Sequence, residues 1–119
     1  MKYMIMVFGD ATTMMEVRSK EWITEMMEFM HTLNKDLIDA GELVEARGLA
    51  FPSEAKTVRL SGGVPVVTDG PYAEAKESLA GYWILDVETE ERVVEVAGRV
   101  VAYAEVVEIR QVPDAPPEI

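Results

Sequence analysis

Asp69, Tyr72, Glu74, Lys76 and Glu77 stand within nine residues of one another, in the stretch TDGPYAEAKE from Thr68 to Glu77. Two roles suit such a set. In one, Asp69 or Glu77 is a general base or an anchor for a ligand, and Lys76 supplies a positive charge beside it. In the other, the stretch is a corner. Pro71 fixes its own φ, Gly70 tolerates conformations closed to other residues, and an Asp before Gly-Pro accepts amide hydrogens in the turn that follows. Tyr72 then tucks its ring under the loop. Both roles stay open at this level. Arg47 is a further candidate: it shares a strand face with Glu45, a pattern that Glu108 and Arg110 repeat. Such charges are rim ion pairs worth about 0–1 kcal/mol each if exposed. Alternatively, Arg47 offers its planar fork to a carboxylate at the mouth of a cleft. The single histidine, His31, falls at the border of a helix's apolar arc and reads as an ordinary boundary residue.

Other chemistries are excluded by what the chain lacks. It has no cysteine, which removes disulfides, thiol nucleophiles and thiolate metal sites. No carboxylate run has calcium-loop spacing, no glycine loop suits phosphate or a dinucleotide, and no Gly-x-Ser-x-Gly elbow occurs. Neither a metal nor a cofactor is therefore expected. Twenty-two acidic residues against eleven Lys and Arg leave a net charge of −11. That field repels phosphate backbones and anionic lipid, so no nucleic-acid and no membrane partner is expected. The apolar run from Tyr3 to Phe8 is too short for a signal segment or a span. A cytoplasmic protein is the expectation.

The elements that must position the candidates follow from periodicity. Tyr3 to Phe8 is apolar at every position, which marks a strand covered on both faces. Gly9 to Arg18 reads as a loop with a helical turn after Thr13, since Thr13-x-x-Glu16 fits a capping box. From Ser19 to Ala40, Trp22, Ile23, Met26, Met27, Phe29, Met30, Leu33, Leu37 and Ile38 share one arc of a helix. Ser19 caps its start and Gly41 ends it. Leu43 to Ala50 is a strand with Val44 and Ala46 toward the helices. Thr57–Leu60 and Val64–Thr68 flank Ser61-Gly62-Gly63, a hairpin signal, and Pro65 assigns that hairpin to a sheet edge. Leu79 to Val87 is again apolar on both faces. Val93, Val94, Val96, Ala97, Val100 and Val101 have helical spacing within Thr89–Tyr103, although five valines and Gly98 oppose helix on propensity. Glu105 to Val112 closes as a strand.

The order is β-α-β, a hairpin, β-α-β: a ferredoxin-like α+β domain over residues 1–112, with two helices on one face of an antiparallel sheet. Residues 113–119 read as a flexible C-terminal tail. Two helices cover one face, yet the strands at Tyr3 and Gly81 are apolar on both. A second copy packed sheet against sheet is the simplest cover, so a homodimer is expected.

The run VTDGPYAEAKESLAGYWILDV resembles the signature of the YCII-related, DGPF-domain family, with Tyr72 in place of the usual Phe. The resemblance extends to MKYMIMVFGD, LNKDLIDAGELVEARGL and VRLSGGVPVVTDG, and so runs from Met1 to Val112. It implies a dimeric α+β barrel. It brings no settled reaction, since members are mostly uncharacterised. Some members carry a proposed His–Asp catalytic pair, but His31 is out of that register, with Met30 nearer the place. Two functions follow as expectations. One is a small-molecule enzyme or binder for a small organic, anionic ligand, with a cleft at the dimer's sheet interface near Asp69, Tyr72, Lys76, Glu77 and Arg47. The other is a non-catalytic dimeric module that binds a protein partner, which the placement of some members beside sigma-factor genes implies.

Overall fold

Tyr3, Ile5 and Val7 alternate with Met4 and Met6 along β1 (Lys2–Phe8), and the first set turns toward the helices while the second turns away. The computed structural model describes residues 1–74 and 77–118. After β1 come α1 (Ala11–Val17), α2 (Lys20–Asp39), β2 (Leu43–Gly48), a 3₁₀ turn at Pro52–Glu54, and β3 (Lys56–Ser61). The chain continues through β4 (Val64–Asp69), β5 (Leu79–Asp86), α3 (Glu90–Ala104) and β6 (Val107–Gln111). β2, β5, β1 and β6 form one antiparallel sheet in that order, which is the ferredoxin-like arrangement expected from the element order.

The core lies between this sheet and the two long helices. Ile5, Leu33, Leu37, Leu85, Val93, Val96 and Val100 are fully buried, with Tyr3, Trp83, Val87 and Ala97 beside them. α2 starts where Ser19 Oγ accepts the Trp22 amide at 3.1 Å. α3 starts where Thr89 Oγ1 accepts the Arg92 amide at 3.3 Å. Its valines form a helix despite their propensity because Val93, Val96 and Val100 are buried on one stripe. Burial of each contributes about 1.5 kcal/mol or more, against a propensity cost of about 0.5 kcal/mol. Glu42, just before β2, takes the Arg92 guanidinium through Nε and Nη2 at 2.8–3.1 Å, and Glu95 holds Nη1 at 2.7 Å. The Glu42 hydrogen bond is the main reason the Arg92 pKa is raised. This cluster ties α3 to the sheet.

Four features differ from the reading of the sequence. A third helix, α1, occupies the expected loop, and its cap is Asp10, whose carboxylate accepts the Thr12 amide at 2.9 Å. β2 carries a bulge between Leu43 and Glu45, so Leu43 joins Ala46 against the core while Val44 is exposed. Met27 and Ile38 are more than half exposed, because α2 presents a narrower stripe than the arc suggested. The β3–β4 hairpin makes a separate two-stranded sheet and does not extend the edge of the larger one. Its turn is the one anticipated: Gly62 and Gly63 both take positive φ, 58° and 80°, as a two-residue hairpin turn requires.

Among the described residues no helix is long and apolar enough to cross a membrane.

Candidate functional site

The stretch after β4 is anchored through its backbone. Gly70, at φ 100°, donates its amide to the Ala55 carbonyl at 2.8 Å, and its own carbonyl accepts Thr57 Oγ1 at 2.8 Å. A side chain at residue 70 would be strained at that φ. Asp69 pairs with Lys56 Nζ across the hairpin and is well exposed. Among the described residues its carboxylate takes that cation and no amide of the turn. Tyr72 does not tuck under the loop: it is 82% exposed, with the Arg59 guanidinium 5.3 Å from its ring centroid. Tyr72 and Glu77 do share an open groove of about 620 Å³ with Phe51, Lys56, Thr57 and Ser78. Lys76 lies outside the described residues.

Arg47 does not line this groove; it is on β2, beside the cavity described below. It sits opposite Tyr82 on the sheet face that carries no helix, 3.4 Å from Glu45. The Tyr82 hydroxyl donates to Glu45 at 3.0 Å. That hydrogen bond, followed by desolvation and the Glu45 charge, raises the Tyr82 pKa above its ordinary value of 10.0, with Arg47 opposing. A phenol held protonated in the fold contributes stability below its ordinary pKa, and loses it as pH rises through the higher folded pKa. Glu45→Ala is expected to move one phenolate transition to lower pH. A difference titration of ultraviolet absorbance against wild type isolates it from the three other tyrosines, and coincident curves would refute the assignment.

A more enclosed space lies elsewhere, between the helices and the sheet. A cavity of about 500 Å³ opens between α1, α2, the end of β1, the end of β2, the first half of β5 and the end of α3. Phe8, Trp22, Met26, Met30, Trp83 and Tyr103 line it. Trp22 and Tyr103 meet edge to face, with centroids 5.5 Å apart. At its solvent side Arg18 lies 4.5 Å from the Trp22 ring centroid, and its Nη2 is 3.8 Å from Glu105. Glu105 is the one non-glycine residue with positive φ among those described. Its φ 63° and ψ −49°, with the Val106 amide 2.6 Å from the Ala104 carbonyl, make the rare positive-φ γ-turn. Such strain is concentrated where surrounding structure holds a residue for use. At the opposite, inner side, Trp83 Nε1 donates to Asn34 Oδ1 at 2.7 Å.

None of Arg18, Asn34, Trp83 or Glu105 was a candidate from sequence. One signal was present: Asn34 continues the Trp22, Met26, Met30 spacing of four and is the polar member of that stripe. His31, by contrast, is exposed on α2 and does not line the cavity.

Comparison with known proteins agrees with the fold. The YCII-related domain model matches residues 1–115. The chain is also similar to Uncharacterized protein R00369 of Rhizobium meliloti (strain 1021), at 31% identity over 86 residues, which cover 72% of this chain and 68% of that one. With the motif around Gly70, the antiparallel sheet and a match over nearly its whole length, the chain belongs to the YCII-related domain family.

Proposed function

We propose that the protein is a cytoplasmic homodimer that binds a small organic molecule in the cavity between helices and sheet. The cavity itself carries this reading. Its size is that of pockets for small ligands, its walls are mostly apolar and aromatic, and few polar groups converge on it. The groove beside Tyr72 and Glu77 is more open, and Asp69 and Arg47 are already engaged by Lys56 and Glu45. Those residues serve better as supports of the loop and of the assembly.

The second copy is supported by the bare sheet face. Met4, Met6, Tyr82 and Ile84 form its half-buried centre. Register places Arg47, Tyr82, Met6 and Glu108 in one row, and Glu45, Ile84, Met4 and Arg110 in the next. Each row thus ends in opposite charges. A two-fold axis parallel to the strands lays β2 of one copy over β6 of the other, Arg47 toward Glu108 and Glu45 toward Arg110. The face complements itself. The chain is also expanded for its length: its radius of gyration is 16.6 Å, against about 13.5 Å for a compact domain of this size.

The cavity is tested by filling it. Met14, on α1, lines it and is half-buried, so Met14→Trp adds bulk without touching the core. Titration with 1-anilinonaphthalene-8-sulfonate, followed by fluorescence, is expected to show saturable binding to wild type and at least about tenfold weaker binding to the variant. Equal binding by both would place the probe elsewhere and remove the proposal. A second reading, a module that binds a protein partner, draws on the hairpin, where Val58, Leu60 and Val67 are exposed on one face.

A further inference from the structure

We propose that the ligand of this cavity is an uncharged aromatic carbonyl compound whose oxygen accepts a hydrogen bond from Asn34 Nδ2, an inference that rests on the cavity being the binding site. The polarity of Asn34 is set by its neighbour. An indole N–H can only donate, so the oxygen of the Asn34 amide must face Trp83 Nε1, 2.7 Å away. The amide nitrogen is thereby turned to the other side, with two hydrogens to give. It has no partner among the described residues, and no side-chain nitrogen or oxygen described is both buried and unpaired. Asn34 is half-buried and lines the cavity, and on that ground the open side of its nitrogen is assigned to the cavity. The donor awaits an acceptor.

Position and charge narrow the class. Asn34 follows Trp22 by twelve residues on the same stripe of α2, a rise of about 18 Å along the axis. Trp22 lies beneath Arg18 at the solvent side, whereas Asn34 lies beside Trp83, which is only 5% exposed. The donor is therefore at the inner end. Among the described residues two cations line the cavity: Arg18 is stacked at the far side, and Arg47, on β2 beside Ala46, sits opposite Tyr82 on the sheet face without helices, 68% exposed and already paired with Glu45. An anion at the inner end would be desolvated without a free countercharge, and a neutral carbonyl would not. The body of the ligand meets Phe8, Trp22, Tyr103, Met26 and Met30, surfaces that favour flat rings through stacking and sulfur contacts.

Two probes matched in ring and size separate the alternatives: 2-acetonaphthone, which carries the carbonyl, and 2-ethylnaphthalene, which does not. Calorimetric titration of the full chain is expected to give the ketone about tenfold the affinity of the hydrocarbon, the ratio one neutral hydrogen bond supplies. Asn34→Asp keeps an oxygen for Trp83 and replaces the donor with an acceptor. Measured near pH ~8, far above the ordinary Asp pKa of about 3.9, it should lose the preference for the ketone. Asn34→Leu, which cannot donate in any protonation state, should lose it as well, and thermal unfolding of both variants verifies the fold. Retention of the preference by either folded variant overturns the inference, as does equal binding of both probes by wild type. In that last case the cavity remains a binding site. If wild type takes neither probe, the cavity reading falls too.

Discussion

Ile84→Asp should give a folded monomer, and Ile5→Asp should give no cooperative fold at all. The two isoleucines lie on adjacent central strands, but on opposite faces of the sheet. Ile84 is opposite Met4 and Glu45 on the face without helices, and Ile5 is opposite Trp83 with no exposure. In a face-to-face dimer each aspartate introduced at position 84 would be a charge without a partner, at about 3 kcal/mol or more per copy. Two copies weaken the dimer by roughly four orders of magnitude in Kd. Within one chain the same position is only half-buried, so the fold tolerates the charge. An aspartate at residue 5 would instead stand among Leu33, Leu85 and Val96, and its cost of several kcal/mol is comparable to the whole stability of a small domain, about 5–15 kcal/mol. Sedimentation equilibrium and circular dichroism read both outcomes. Wild type sedimenting as a folded monomer at micromolar concentration would end the dimer proposal, as would an Ile84→Asp variant that stays dimeric.

Leu37→Ala should cost about 2–5 kcal/mol, and Ile38→Ala next to it less than about 0.5 kcal/mol. Both residues are aliphatic and both lie in the last turns of α2, so helix propensity does not separate them. Packing does. Leu37 is fully buried among Val93, Val96 and their neighbours, whereas Ile38 is 61% exposed. Truncating Leu37 removes apolar contacts and leaves a void in a core with little slack. Urea unfolding of the two variants compares them directly. Similar losses at both sites would mean that Ile38 is covered in the native assembly, which is informative about the surface that the second copy or another partner occupies.

That pair also shows where a sequence stops being sufficient. The order of the strands and the two long helices, the cap at Ser19, and the Gly62-Gly63 turn are local matters of hydrogen bonding and backbone sterics, so they are written in consecutive residues. The bare apolar face was legible for a related reason: strict alternation assigns Met4 and Met6 to one side and Ile5 to the other, and only two long helices were present to cover either. Which of Leu37 and Ile38 is buried was not legible, because both fit an apolar arc and only the angle at which α2 meets the sheet distinguishes them. The bulge at Val44 arises from pairing with β5 and reverses the expected facing of Leu43 and Val44. Tyr72 and the hairpin depend on what the rest of the chain leaves for them to pack against. The cavity belongs wholly to tertiary structure. Asn34 and Trp83 are 49 residues apart, and Arg18 and Glu105 stand at opposite ends of the fold's helical layer in sequence. The donor-only indole orients the amide once folding brings the two together, and no spacing along the chain encodes that contact.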